Sequence, residues 1–347
     1  MVLEEPTHGA AESRSIPTDA ALPGLSLLVR PPELVEFLSS LLVEWMDAGK
    51  RISDCRVNLL RYVPGKRCIV ALQLRIESKE SGGVECRKLI AKAYANGRGK
   101  KVYSTLRELQ NHGFADGLLT VSQPLAYDAK WQLLLLRHYE GELLRNLVLT
   151  QPNREWAMEG AAEWLAKLHR CGIKSGRRYS LQDHLRTLGA RRQPLEQVSP
   201  DAARSFEGIL ARIERQIEKI EERRLGPTHR DFSPDHLLVD GAHFTGLDFD
   251  EFCQYDPVFD VAHFIAHVGY LGLLHSGSLH RFDPLAKRFS ATYQSCAGIQ
   301  SLAQLEPYLG LAYLKLAQIV ALVTRPDGWR EMTESILAEA QRFCQVK

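Results

Sequence analysis

Hydrophobic and polar positions follow two rhythms along the chain, and the change from one to the other divides it. After Pro32, Leu34, Phe37, Leu38, Leu41, Leu42 and Trp45 recur at spacings of three and four, which predicts a helix. Strands are predicted over 56–63 and 68–77, joined by Pro64-Gly65-Lys66-Arg67, a hairpin turn. A polar connection over 78–85 leads to a third strand over 88–94. Gly97 and Gly99 then break the chain before a helix over 101–112. Further strands are expected over 124–127 and 131–139, the second nearly all apolar and so placed inside a sheet.

From Gly141 the pattern is helical, with helices over 156–169 and, strongly charged, over 202–224. Short strands return at 237–239 and 244–247, and the chain is helical again after Asp256. A sheet-rich first third and a helical remainder give an α+β, two-lobed class. The expected division is a loose tail over 1–25, a small antiparallel β-sheet lobe over 26–139 and a larger helical lobe over 140–347. No internal repeat is seen.

Composition narrows the class without naming it. At 347 residues, 45% hydrophobic and 25% charged, the chain is an ordinary globular one. A net charge of +2 gives no nucleic-acid signal. Seven scattered cysteines without a C-x-x-C pair argue against a disulfide framework or zinc site and suit a reducing cytoplasm. The N-terminus lacks the basic and apolar regions of a signal peptide. The longest apolar run, 309–323, is broken by Lys315 and reads as a buried helix, so no membrane partner is expected.

The chemistry concentrates in His229-Arg230-Asp231-Phe232-Ser233-Pro234-Asp235-His236, followed after a short apolar run by Asp248-Phe249-Asp250. The protein-kinase catalytic loop reads H-R-D-L-x-x-x-N and is followed by a D-F-G metal turn. Here His236 stands in the place of the Asn. Two separate carboxylates suit phosphoryl transfer, one to orient the attacking hydroxyl and one to hold the metal that bridges the phosphates.

Adding Tyr255-Asp256-Pro257-Val258-Phe259-Asp260-Val261-Ala262, the chain resembles the aminoglycoside phosphotransferase and choline kinase-like family, relatives of protein kinases. That family shows H-G-D-x-x-x-x-N, then I-D, then G-D-P-x-x-D-L-A, and the match runs recognisably over about residues 50–270. The resemblance implies a bilobal protein kinase-like fold and transfer of a γ-phosphate from ATP or GTP, with Mg2+ or Mn2+, to a small-molecule hydroxyl. It makes Asp231 the catalytic aspartate, with His229 in the same loop, and Asp248 the metal ligand. Asp250 is either a second ligand through water or a turn residue. His236 offers nitrogen where Asn offers oxygen, a better match to manganese or zinc than to magnesium; it ligates or simply hydrogen-bonds within the loop.

In the first lobe the resemblance casts Lys92 as the strand lysine on the α- and β-phosphates, with Lys88 as its competitor on the same strand face. Glu108 is the only acidic residue between Glu85 and Asp116, and so the expected partner. Gly65 lies in the only candidate phosphate loop, and the backbone from Leu136 through His138 to Tyr139 is expected to meet the purine. Asp256 and Asp260 are expected to support the catalytic loop, to cap the helix beginning at Val258, or to do both. His263 and His267, four apart, read as a packing or surface pair rather than a chelate.

From Asp231 to Lys347 there are fourteen acidic and eight basic residues. That favours a neutral or cationic acceptor such as an aminoglycoside, amino sugar or choline-like alcohol. A protein kinase is disfavoured because only seven residues separate Asp248 from Asp256, too few for an activation loop. The rival reading is a nucleotide-binding pseudokinase with a regulatory role, prompted by His236 and by the missing glycine-rich motif.

Overall fold

The computed structural model describes residues 15–43, 46, 47, 49–78, 82–218, 225–299, 302 and 304–344. It falls into two compact units, one from residues 15–116 and 121–140, the other from 117–120 and 141–344.

The first unit begins with α1 (Gly24–Leu28) and α2 (Pro31–Leu41). Long strands β1 (Lys50–Val63), β2 (Arg67–Ser78) and β3 (Val84–Tyr94) follow, then α3 (Arg98–Leu109). After β4 (Leu119–Val121), which pairs in the other unit's sheet, β5 (Pro124–Asp128) and β6 (Leu133–Arg137) complete an antiparallel sheet in the order β1-β2-β3-β6-β5. Alternation explains its packing. Val70, Leu72, Leu74 and Ile76 of β2 point to one face and are fully buried in one core with Leu34 and Leu38 of α2. Each such side chain contributes about 1.5–3 kcal/mol relative to exposure. β6 is buried from Leu133 to Leu136 because strands flank it on both edges.

Residues 15–25, expected to belong to a loose tail, are pinned instead; residues 1–14 lie outside the described part. The Asp19 carboxylate accepts hydrogen bonds from the Tyr62 hydroxyl (3.0 Å) and the Gly65 amide (2.7 Å). Leu22 and Leu25 are buried in the sheet unit's core. The spacing of Leu22, Leu25 and Leu28 carried this signal, but Pro and Ser around it masked the short helix.

The second unit contains α4 (Leu144–Thr150), α5 (Glu155–Arg170), α6 (Leu181–Gly189), α7 (Arg192–Val198), α8 (Pro200–Glu218), α9 (Val258–Ser276), α10 (Asp283–Ala297), α11 (Leu305–Ile319) and α12 (Trp329–Arg342). The helix expected over 202–224 is described only as far as Glu218. Two small sheets carry the motif loops. β7 (Glu142–Leu143), β9 (Leu237–Asp240) and β10 (His243–Gly246) join β4 in the order β4-β10-β9-β7, and β8 (Gly226–Thr228) pairs with β11 (Cys253–Tyr255).

The chain from β8 to β11 is a scaffold for two loops. β8 delivers His229–Asp231, and β10 delivers Asp248. Trp164 of α5, fully buried, stacks on Phe232 at 5.4 Å and 6°. A Cβ on Gly246 would lie 2.0 Å from the Trp164 ring, so only glycine lets β10 approach α5 this closely. The helices Val258–Ser276 and Leu305–Thr324 have span-like length and hydropathy, but 78% and 67% of those windows are buried in the protein. They are core helices of this unit.

Candidate active site

The catalytic-loop motif is held by a single buried carboxylate. Asp260, near the start of α9 and fully buried, accepts the amide N–H of His229 and that of Arg230, each at 2.7 Å. His169 of α5 reaches the same carboxylate at 3.1 Å and Tyr293 at 2.7 Å. Asp256 behaves differently. It accepts the Val258 amide at 3.0 Å and the Tyr308 hydroxyl at 2.8 Å, fixing the start of α9. Support and capping are thus divided between the two residues.

Arg230 has φ 63°, the left-handed region that a long side chain seldom occupies. The surroundings over-determine it. Its guanidinium lies 3.6 Å from the Tyr179 ring centroid, donates to the Tyr179 hydroxyl at 2.8 Å and meets Glu251 at 3.1 Å. Asp248 also has a positive φ, 59°, which turns the chain immediately after β10.

Asp231 follows, with a side chain 26% exposed. The Lys315 ammonium of α11 contacts its Oδ1 at 2.8 Å, and His263 Nε2 stands 3.6 Å from the same oxygen. Burial pushes the Asp231 carboxyl upward, but the Lys315 ammonium, the largest opposing influence, holds the group well below the usual carboxylate range. It is an ionised carboxylate at neutral pH.

His229 donates its Nε2–H to the Leu247 carbonyl at 2.7 Å, tying the catalytic loop to the residue before Asp248. Its imidazole is buried and held below its ordinary value, by burial first and by His236 second. His229 is therefore a strut between the two loops. His263 donates Nδ1–H to the Phe232 carbonyl at 2.9 Å and packs on His267 at 4.4 Å between ring centroids. These two histidines line the back of the loop.

His236 ends the one-turn helix Pro234–His236. Its Nδ1 lies 2.5 Å from the Asp231 carbonyl. A carbonyl only accepts, so Nδ1 carries a proton, and in the neutral ring Nε2 presents a lone pair. That Nε2 is buried, has no hydrogen-bond partner and faces Asp248 Oδ2 at 3.8 Å. Asp250 follows in the turn Phe249–Glu251, half-buried. Among the described residues, no group of three or more His, Cys, Asp or Glu side chains assembles as a metal cluster. Asp235, beside His236, is paired with Arg145 of α4 at 3.1 Å.

In the sheet unit, Lys92 lies on β3, buried, between Ile69 of β2 and Leu134 of β6. Glu108 lies on α3 of the same unit. Lys88 is half-exposed and bonded to Glu140 at 3.0 Å. Gly65 has φ 65° at the β1–β2 turn, and its amide is taken by Asp19. Leu136 sits inside β6, registered with Ile90 and Pro124, so its backbone belongs to the sheet and only His138 and Tyr139 follow the strand's end.

The model of the phosphotransferase enzyme family matches residues 84–304. The chain belongs to that family. No curated protein matches. Among solved structures, choline kinase from Cryptosporidium parvum aligns with a TM-score of 0.61 at 11% identity, covering 89% of this chain and 94% of that one. A choline/ethanolamine kinase family protein from Mesorhizobium loti gives 0.53 at 14%, covering 84% and 88%. A thermostable aminoglycoside phosphotransferase mutant, in a ternary complex with AMP-PNP and hygromycin B, gives 0.55 at 16%, covering 88% and 97%. At such identities the likeness is one of fold, and the fold is kinase-like.

Three residues of this candidate site escape a reading of the sequence. Lys315 arrives from 84 positions away, and its only local signal is that it interrupts an apolar run. Tyr179 and Glu251, which hold Arg230, carry no motif at all.

Proposed function

We propose that the protein transfers the γ-phosphoryl group of ATP or GTP to a hydroxyl of a small molecule. The observation that supports this best is Asp231: an ionised, partly exposed carboxylate on a loop held rigid by Asp260 and His229. Asp231 would accept the hydroxyl's hydrogen bond and aim its oxygen at the phosphorus. In a loose transition state this positioning counts for more than basicity.

Asp248 and His236 would hold the divalent ion, with Asp250 beside them; when bound, that ion neutralises charge on the β- and γ-phosphates. In the sheet unit, Lys92 would pair with phosphate oxygens, with Glu108 as its partner. The backbone of His138 and Tyr139 would meet the purine. Gly65 could serve a phosphate only after its amide leaves Asp19. The acidic excess from Asp231 onward favours a neutral or cationic acceptor, and AMP-PNP in a structural neighbour supports a nucleoside triphosphate as donor.

The test is acceptor-dependent release of ADP or GDP across a panel of aminoglycosides, amino sugars and choline-like alcohols. Turnover should appear with one class and vanish in Asp231→Asn. Residual turnover within tenfold of wild type in that variant would remove Asp231 from the role. A second reading, a nucleotide-binding regulator without transfer, draws on His236 in place of Asn and on Asp19 at Gly65. Any Asp231-dependent turnover decides against it.

A further inference from the structure

Lys315 is anomalous where it stands. Leu314 and Leu316 on either side are buried, and α11 is a core helix. An ammonium in such a helix destabilises unless it is paired. Its side chain is 18% exposed, and its bonds are Asp231 Oδ1 at 2.8 Å and the Arg230 carbonyl at 3.1 Å. Both partners lie in the catalytic loop.

The donor count then matters. An ammonium has three N–H groups, two of which are committed, leaving one. Asp231 Oδ1 is taken by Lys315, whereas Oδ2 accepts no hydrogen bond from any described residue. One donor and one acceptor thus remain side by side at the loop, on two partly exposed side chains.

We propose that Lys315 is a catalytic residue whose remaining N–H binds a non-bridging oxygen of the phosphoryl group in flight, while Asp231 Oδ2 binds the acceptor hydroxyl. This rests on the phosphotransferase reading above and adds a cation to it. In the step, the acceptor oxygen forms a bond to the γ-phosphorus as the bond to the β,γ-bridging oxygen breaks. That electron pair leaves on the nucleoside diphosphate. The hydroxyl proton passes to Asp231 Oδ2 and then to water. Lys315 remains an ammonium throughout and offsets charge that is spread over three equatorial oxygens.

The test needs no acceptor. Affinities for ADP alone and for ADP with aluminium fluoride, a mimic of the transferring group, are measured by calorimetry in the presence of divalent metal for four full-length proteins. These are wild type, Lys315→Met, Asp231→Asn, and the double variant Asp231→Asn/Lys315→Met. In the last two the ion pair is already gone, so their difference reads the phosphoryl contact and not the loss of a counter-ion. The double variant also carries no unpaired Asp231 charge, which guards against misfolding of Lys315→Met.

Expected is a fluoride-dependent gain in affinity in wild type and in Asp231→Asn. That gain should fall by roughly 100-fold when Lys315 is also removed, the scale for one donor to a developing oxyanion. Affinity for ADP alone should hold within about threefold, a change of under 1 kcal/mol. An equal gain in the single and double variants would overturn the proposal, leaving Lys315 a loop counter-ion. So would a wild type that binds ADP but gains nothing from fluoride. Failure of wild type to bind ADP at all would overturn the phosphotransferase reading as well, and is recognisable as such.

Discussion

The Nδ1–H of His236 donates to the main-chain carbonyl of Asp231 across 2.5 Å. The ring that turns its free nitrogen toward Asp248 is therefore oriented by the residue that would receive the acceptor. If His236 and Asp248 hold the metal as proposed, metal site and transfer site would be one hydrogen bond apart, with an outer hydrogen bond orienting the ligand.

That tautomer predicts a metal preference. Imidazole nitrogen suits Mn2+ better than Mg2+. His236→Asn should shift the preference of the nucleotide complex toward Mg2+ by on the order of tenfold, about 1.4 kcal/mol. Pulsed EPR of bound Mn2+ should show a nitrogen coupling in wild type that is missing in His236→Asn. Equal spectra would make His236 a loop residue only.

Gly246 sets the separation of β10 from α5. Adding a methyl there meets the buried Trp164 ring, and relief requires moving either the ring or the strand. Gly246→Ala should cost about 1–3 kcal/mol of stability, read as a lower denaturant midpoint. Because Trp164 stacks on Phe232, catalytic output should fall in the folded fraction too.

Stability should decline on mild acidification. His184, His229, His263 and His267 are each held below their usual value, chiefly by burial. Below the unfolded value near 6.5 the unfolded chain takes up protons that the folded one refuses. Each group then removes roughly 1.4 kcal/mol per pH unit until its folded value is reached. Asp231 acts in a lower window, since its depressed folded value protects stability until pH falls through it. Chemical denaturation at pH 8, 7, 6 and 5 should show a plateau to about 7 and a steepening loss below 6.5; a flat profile from 8 to 5 would contradict the neutral buried histidines.

Asp260 joins the catalytic loop to α9 through two short amide contacts. Asp260→Asn keeps the shape but replaces one acceptor oxygen by a donor that faces an N–H. Turnover should fall by roughly 10–100-fold with nucleotide affinity nearly unchanged, the pattern of lost positioning rather than lost binding.

What could be read from the sequence was what is local. The alternation in 68–77 and the Pro64-Gly65 turn specify the hairpin because strand period and turn chemistry are nearest-neighbour properties. The His229–Asp231 and Asp248 loops were legible because each motif is contiguous, and Asp260 because it follows Pro257 at fixed spacing. Lys315, Tyr179 and Glu251 were not, since contacts over 84, 51 and 21 positions leave no periodic trace. Gly65 shows the converse. Its turn was read correctly, but its amide belongs to Asp19, which looked like part of a tail.

The central claim is a metal-dependent nucleotide site that includes Asp248. Its most direct test is thermal unfolding of wild type and Asp248→Asn with ATP and with GTP, each with Mg2+ or Mn2+. Ligand at one hundred times its dissociation constant should add about 2.7 kcal/mol to wild type, a rise of several degrees, only when metal is present. The rise should be largely lost in Asp248→Asn. An equal rise in both proteins, or none with any nucleotide and metal, would contradict the account.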